Sequence, residues 1–388
     1  MFSYRHAFHA GNHADVLKHI TLLATMRHLM QKEAGITLID THSGAGLYRL
    51  DGDYSQKGAE AQDGLFKLLG ALEKLDSIPE PIEDYLEQIA SFNANGEARI
   101  YPGSPFLMQR LMRHASRDRL RLFELHPTDS RALMSNIAQL EAGRTVTVSR
   151  EDGFEALKKL LPPPASATGS KRAMVLIDPS YEIKSDYAKV SNVIADCLKR
   201  FPTGTYLVWY PIIPRPEAHE LPRRLKTLSN QARRSWLHAT LAIGKGAEGD
   251  TGLSASGMFV INPPYTLAEQ LRAALAMVGP ALARGNGGDA RGDLVVVYLH
   301  WGELASLESI VQLGTVFFGF FAWYRGLAIG PISSVSQVQL TQPVMSILWS
   351  AVLLGESITP QVLLGGTVVI ACAALAVRSR LAGATSRG

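Results

Sequence analysis

Ala173–Tyr181 reads AMVLIDPSY, five apolar residues followed by an acid, a proline, a serine and an aromatic. An unbroken apolar run of this length is a strand buried on both faces, whereas a half-exposed strand would alternate. Pro179 cannot donate to a ladder, so Asp178 stands at the carboxyl end of a central strand. Working outward, Ile36–Asp40 is another short buried strand, and it runs into the glycine-rich turn Thr41-His42-Ser43-Gly44-Ala45-Gly46. Further strands are expected at Arg119–Glu124, Thr145–Ser149, Thr205–Tyr210, Trp236–Ile243 and Gly257–Ile261. Helical spacing appears at Asp15–Lys32, Pro127–Leu140, Gly153–Leu161, Tyr187–Arg200 and Glu217–Ala232, and Pro162–Ser170 is a loop by composition. Strands alternating with helices predict an α/β fold, a mostly parallel sheet covered on both faces. From Asp51 to about Ser116 the pattern is helical, broken near Pro79–Pro81 and at Tyr101-Pro102-Gly103, which predicts a helical insertion after the first strand.

In such sheets ligands bind beyond the carboxyl ends of the strands, and the acids fall there in order. Glu124 closes the second strand, Asp152-Gly153 follows the third and Asp178 closes the fourth. The Gly44/Gly46 turn lets backbone approach a ligand closely. A dinucleotide site expects a ribose-binding acid about 20 residues past its glycines. Here the acid lies far beyond, and no phosphate-binding lysine follows the turn. A ligand with a ribose but no phosphate fits better, as S-adenosylmethionine does.

Asp178-Pro179-Ser180-Tyr181 resembles the (Asp/Asn)-Pro-Pro-Tyr motif of amino-group methyltransferases. The lone pair of a nucleobase amine is delocalised into the ring, which makes it a poor nucleophile. A carboxylate and the Pro179 carbonyl can accept its two hydrogens and aim the nitrogen, while Tyr181 can stack on a base that has left its helix. The motif's second proline is Ser180 here, so the loop should be looser. Asn262-Pro263-Pro264-Tyr265 matches the motif better by letter, but it follows a late strand and is read as a strand-terminating turn.

The segments MFSYRHAFHAGNHADVLKH, LIDTHSGAGLY, YPGSP, FELHPTD, EDGF, LIDPSYE and TGTYLVWYP closely resemble the large-subunit ribosomal RNA methyltransferase J family over roughly residues 1–280. The resemblance implies a Rossmann-like class I methyltransferase that uses S-adenosylmethionine to methylate the N6 amine of one adenine in 23S ribosomal RNA, free or early in assembly, with no metal. It places cofactor contacts on His19, His42, Ser104, Glu124, Asp152, Gly153 and Asp178. It places the catalytic acid on Asp178 and an N-terminal tyrosine near the substrate on Tyr4; the motif adds Pro179 and Tyr181 to the catalytic set, with Tyr181 also touching the substrate base. A DNA adenine methyltransferase shares the same amine chemistry and is one alternative; a membrane component with a vestigial methyltransferase domain is the other.

The chain has 388 residues and a net charge of +4, compatible with a polyanionic partner. One basic cluster holds Arg110, Arg113, Arg117, Arg119 and Arg121; another holds Arg223, Arg224, Lys226, Arg233 and Arg234. Two cysteines imply no disulfide framework and a reducing cytosol, and the polar, His-rich start is not a signal peptide.

From Leu294 onward the only acids are Glu303, Glu308 and Glu356, and the only basic residues Arg325, Arg378, Arg380 and Arg387. Ile310–Tyr324, Val335–Gly355 and Val362–Val377 are nearly free of charge. With Pro343-Val344 and Leu353–Glu356, this all-α tail resembles the last helices of EamA-type transporters over about residues 309–380. It is too few helices to form a transport path. If the short first segment does not cross, Val335–Gly355 and Val362–Val377 form a two-span hairpin that keeps Arg325, Arg378 and Arg380 inside. That would tether a cytoplasmic enzyme to the inner membrane. The other reading is a disordered tail, and residues 281–308 are the junction.

Overall fold

Residues 9–297 are described by the computed structural model, apart from 52–59, 74, 76, 95, 141, 166–168, 245–251 and 285–290; for 291–297 only the backbone is described. They belong to a unit whose boundary falls at Tyr298. Tyr4 and the apolar tail lie outside the described residues, and among those residues no helix is long and apolar enough to cross a membrane.

The sheet has eight strands. Thr37–Asp40 (β1), Arg119–Phe123 (β4), Val146–Ser149 (β5), Ala173–Ile177 (β6) and Thr205–Pro211 (β7) are parallel, in the order β5-β4-β1-β6-β7. Ala255–Ile261 (β9) adds antiparallel to β7, then Trp236–Ala242 (β8) and Arg291–Val297 (β10) continue the sheet antiparallel. The chain winds outward from β1 through β4 to β5, then returns to lay β6 on the other side of β1. The switch point, where such sheets open a crevice, is therefore between β1 and β6. Asp40 is level with Leu122 on one side and Leu176 on the other, so the strand ends rise together.

Both faces of the sheet are covered, and the strands show it residue by residue. Leu38, Met174, Leu176 and Leu207 pack on the side of His13–Leu29 (α1), the insertion and Leu267–Leu282 (α9). Ile39, Val175, Ile177 and Val208 face Gly153–Leu160 (α6), Ser185–Arg200 (α7) and Pro216–Gln231 (α8). This alternation between two apolar layers is why the strands read as unbroken hydrophobic runs. Helix α1 is itself buried from His13 to Met26, between sheet and insertion, and is capped by the Asn12 side chain on the Asp15 amide at 2.9 Å.

The insertion contains Lys67–Leu72 (α2) and Glu80–Ala90 (α3), followed by Ser104–Leu111 (α4), and Pro127–Ala138 (α5) connects β4 to β5. Leu47–Arg49 (β2) and Ile100–Pro102 (β3) close the insertion as an antiparallel ribbon. The ribbon was not expected, because three-residue strands are too short to carry a period. Helix α9 and strand β10 were likewise not anticipated; β10 falls within the stretch read as a junction.

Candidate active site

Beyond the carboxyl ends of β1, β4, β5 and β6 lies a cavity of about 380 Å³, within the usual range for a ligand site. His42, Ser104, Glu124, Asp152, Gly153, Asp178 and Pro179 all line it. Residues up to 137 positions apart are thus brought to one place by parallel strands in register. The turn after β1 wraps onto the second strand end: the Gly44 amide donates to Glu124 Oε2 at 2.8 Å, and the His126 amide donates to Oε1 at 2.7 Å. Burial raises the Glu124 carboxyl above its ordinary range against these two donors. Asp152 caps α6, its Oδ1 accepting from the Phe154 amide at 2.8 Å. Gly153 is required by packing, since a Cβ there would stand 2.1 Å from the Thr41 carbonyl oxygen.

Three buried groups at the site were not singled out from the sequence: Lys18, which lines the cavity, and Asp15 and Asp40 behind it. Lys18, on α1, reaches Asp178 Oδ2 at 2.6 Å and Asp15 Oδ1 at 2.7 Å. Burial alone would discharge this ammonium, but Asp15 and then Asp178 overcome it and raise its pKa. Asp15 is 2 % exposed and its other oxygen accepts from the Gly11 amide at 2.9 Å. Asp178 Oδ1 has no protein partner among the described residues, leaving one carboxylate oxygen for a ligand. Asp40, fully buried at the end of β1, accepts from Ser104 Oγ at 2.7 Å. Burial, then the neighbouring Asp178, pushes the Asp40 carboxyl up to about 7 against the Ser104 hydrogen bond. His42 is held neutral by burial, down to about 4, with Nδ1 2.8 Å from Thr41 Oγ1 and its ring edge-on to Phe154 at 4.8 Å.

Other nominated residues sit elsewhere. His19 faces the core behind the cavity, its Nδ1 2.8 Å from the Tyr101 hydroxyl and its ring stacked on Tyr101 at 5.5 Å, and it does not line the cavity. Tyr181 does not offer a free face to a base, contrary to expectation. Its backbone takes the left-handed conformation (φ +53°), which turns the ring under the loop against Tyr187 at 4.6 Å. Its hydroxyl donates to the Trp209 carbonyl at 2.7 Å, and it is 2 % exposed. Asn262–Tyr265 lies at the opposite end of the sheet, because β9 runs antiparallel to β7 and ends level with Tyr206. Asn262 Nδ2 donates to the Pro202 and Gly204 carbonyls at 2.9 and 2.7 Å, the work of a turn residue.

The chemistry of the lining tests the expected cofactor. Glu124, Asp129, Glu151, Asp152, Asp178, Glu182 and Asp186 face two lysines, Lys18 and Lys189, and each lysine is paired with a carboxylate. Phosphates would be repelled here, while a sulfonium, an amino group and ribose hydroxyls each find acceptors. The residues fit S-adenosylmethionine and disfavour a dinucleotide. Among the described residues no group of three His, Cys, Asp or Glu could hold a metal ion.

Comparison with known proteins agrees with this site. Residues 33–296 match the family model for ribosomal RNA large subunit methyltransferase D, RlmJ. The chain is 42% identical over 273 residues to ribosomal RNA large subunit methyltransferase J of Haemophilus influenzae, covering 70% of this chain and 91% of that one. The Escherichia coli protein of the same name is 38% identical over 290 residues, with 75% and 97% covered. A crystal structure from Legionella pneumophila matches with a TM-score of 0.63 at 31% identity, covering 75% of this chain and 98% of that one. Residues 294–378 match the EamA-like transporter family model, and 70 residues, 18% of this chain, are 41% identical to an uncharacterized transporter of Bacillus subtilis, of which they cover 24%. With the methyltransferase match spanning most of the chain and nearly the whole of its relatives, this chain belongs to the RlmJ family of large-subunit ribosomal RNA methyltransferases.

Proposed function

We propose that the chain transfers a methyl group from S-adenosylmethionine to the N6 amine of an adenine in 23S ribosomal RNA. The observation that carries this reading is the position of Asp178. It stands at the switch point, in one cavity with Glu124 and Asp152, with Oδ1 open and Oδ2 held by Lys18. When bound, S-adenosylmethionine supplies an electrophilic methyl on a sulfonium that needs no acid to leave. Glu124 would accept from its ribose hydroxyls and Asp152 from its adenine amine, and Ser104 and His42 would hold its methionyl end. Asp178 Oδ1 and the Pro179 carbonyl accept the two hydrogens of the substrate amine and turn its lone pair toward the methyl. The extra proton on that nitrogen becomes acidic only after transfer, so Asp178 orients first and takes the proton late. Lys18 fixes the carboxylate's rotamer, and Tyr181 anchors the loop to β7. His19 supports the wall from behind, and Tyr4 is the proposed substrate contact from the N-terminal segment.

Transfer of labelled methyl from S-adenosylmethionine to protein-free 23S rRNA and to duplex DNA tests the reading. Labelled N6-methyladenine in the rRNA alone is expected. Labelling of DNA alone would replace it with a DNA enzyme, and absence of cofactor binding by calorimetry would remove the enzyme altogether.

A second element rests on the EamA-like match at residues 294–378. We infer a cytoplasmic catalytic domain that extends through β10 rather than ending at 280, followed by a junction up to about 308 and a two-span hairpin within 309–380 that tethers it to the inner membrane. Protease protection of a C-terminal tag in inverted vesicles would refute the hairpin.

A further inference from the structure

The acidic cavity poses a problem for a nucleic-acid substrate, since its rim repels phosphates. The cations gather at the other end of the sheet. The loops entering β1, β4, β5 and β6 lie side by side there, because the strands are parallel and in register. Two arginines build that platform. Arg113 grips Asp118 through Nε and Nη2, each at 3.0 Å, and donates to the Met30 and Lys32 carbonyls. Arg172 donates to the Ala34 carbonyl at 2.6 Å and to the Leu29 carbonyl. Both are consumed by structure.

Five further cations stand on the same loops: Lys32, Arg117, Arg119, Arg144 and Lys171. All five are exposed, and among the described residues none has a carboxylate within ion-pair distance. Among the described residues Glu33 is the exposed acid on these loops. Elsewhere exposed cations are of both kinds: Lys158 pairs with Glu155 and Arg200 with Asp196, whereas Arg223 and Lys226 have no carboxylate within ion-pair distance among the described residues, but no other set converges from four strand entries. Arg119 opens β4 and the other four lie between elements, at the strand entries. The row therefore holds an uncompensated positive field, the footprint of a polyanion site.

We propose that this amino-end row binds phosphates of the substrate RNA at a distance from the methylated base. The inference rests on the reading of the substrate as RNA. The strands separate row and cavity by about 15 Å of sheet, so a folded RNA of many nucleotides reaches both and a short one does not. Placing the anchor there leaves the acidic cavity free to favour a sulfonium. It also predicts that affinity depends on RNA length.

The test uses the full chain and in vitro transcribed 23S rRNA, with binding followed by fluorescence anisotropy across a salt series. Neutralising all five (Lys32→Gln, Arg117→Gln, Arg119→Gln, Arg144→Gln, Lys171→Gln) should flatten the dependence of log K on log salt by about four, near the counterions released by five contacts. KM for the long RNA should rise with it, while turnover of a short adenosine oligonucleotide and calorimetric cofactor affinity stay at wild-type values. Lys158→Gln/Lys159→Gln serves as control and should leave the slope alone. The pairs Arg117→Gln/Arg119→Gln and Arg144→Gln/Lys171→Gln should each remove a proportional share, should the fivefold variant fail to fold. An unchanged slope overturns the proposal. So does an equal loss on long and short RNA, or retention on vesicles of 70:30 phosphatidylcholine and phosphatidylglycerol that long RNA cannot displace. If wild-type protein binds rRNA with the steep slope yet methylates none, the row stands and the proposed reaction falls.

Discussion

At their carboxyl ends β1, β4, β5 and β6 collect carboxylates around a cavity; at their amino ends the same four strands collect lysines and arginines on open loops. Both ends contain buried ion pairs, but they do different things. Lys18 between Asp15 and Asp178 holds a charge against a ligand site, whereas Arg113 on Asp118 and on backbone carbonyls only ties loops together. The contrast shows that residue type does not report function in this fold. Position relative to the strand direction does, because parallel strands segregate their two ends by the whole depth of the sheet.

The two Asp/Asn-Pro motifs give the largest expected difference between the ends. Asp178→Ala should reduce methyl transfer by about a thousandfold or more, measured with labelled cofactor on rRNA. Asn262→Ala should leave turnover at the wild-type level and lower stability by about 1–2 kcal/mol, through lost hydrogen bonds and a strained left-handed backbone. Equal loss in both would erase the distinction.

Asp15→Asn sharpens the role of the buried pair at the site end. With one carboxylate removed, the buried Lys18 ammonium loses part of what raises its pKa, so the ion that fixes Asp178 is given up at lower pH. Turnover should fall about tenfold near neutrality and further as pH rises, with calorimetric cofactor affinity unchanged. A uniform loss with no new alkaline limb in the kcat profile would reduce Asp15 to a packing residue.

Asp40→Asn should show a smaller effect, in stability. A carboxyl raised from 3.8 to about 7 in the fold holds its proton while the unfolded chain has lost it, so this group costs stability as pH climbs from about 4 to 7. Asparagine keeps a partner for Ser104 and removes that cost. The variant's unfolding free energy, relative to wild type, should grow across this window and level off above it in urea titrations. A constant offset would mean that Asp40 ionises freely. Ser180→Pro carries the smallest change, with turnover kept or raised by no more than about twofold, since it stiffens a loop already anchored through Tyr181.

Much of this was legible because the relevant signals are local. Glu124, Asp152 and Asp178 each end a short apolar run or cap a helix, so each is placed at a strand end by local signals, although in space Glu124 stands between Asp152 and Asp178. Lys18 was not legible, as a lysine on a helical stretch looks solvated until β6, 160 positions later, lays Asp178 beside it. Tyr181 follows an Asp-Pro pair, yet a positive φ no periodicity reports turns its ring inward. The arginines of 110–121 read as one cluster, but Asp118 takes Arg113 out of it, while Lys32, Arg144 and Lys171 join from distant segments.

The sequence by itself determined the five central strands, the mostly parallel sense of the sheet and which residue types stand at their carboxyl ends, since these follow from hydrophobic period, turn chemistry and chain order. Only the tertiary structure decided which charges meet. Whether a lysine is a solvated chain, the clamp on a reacting carboxylate or one of an uncompensated row depends on what lies within a few ångströms, and Coulomb and desolvation energies turn on that distance rather than on separation along the chain.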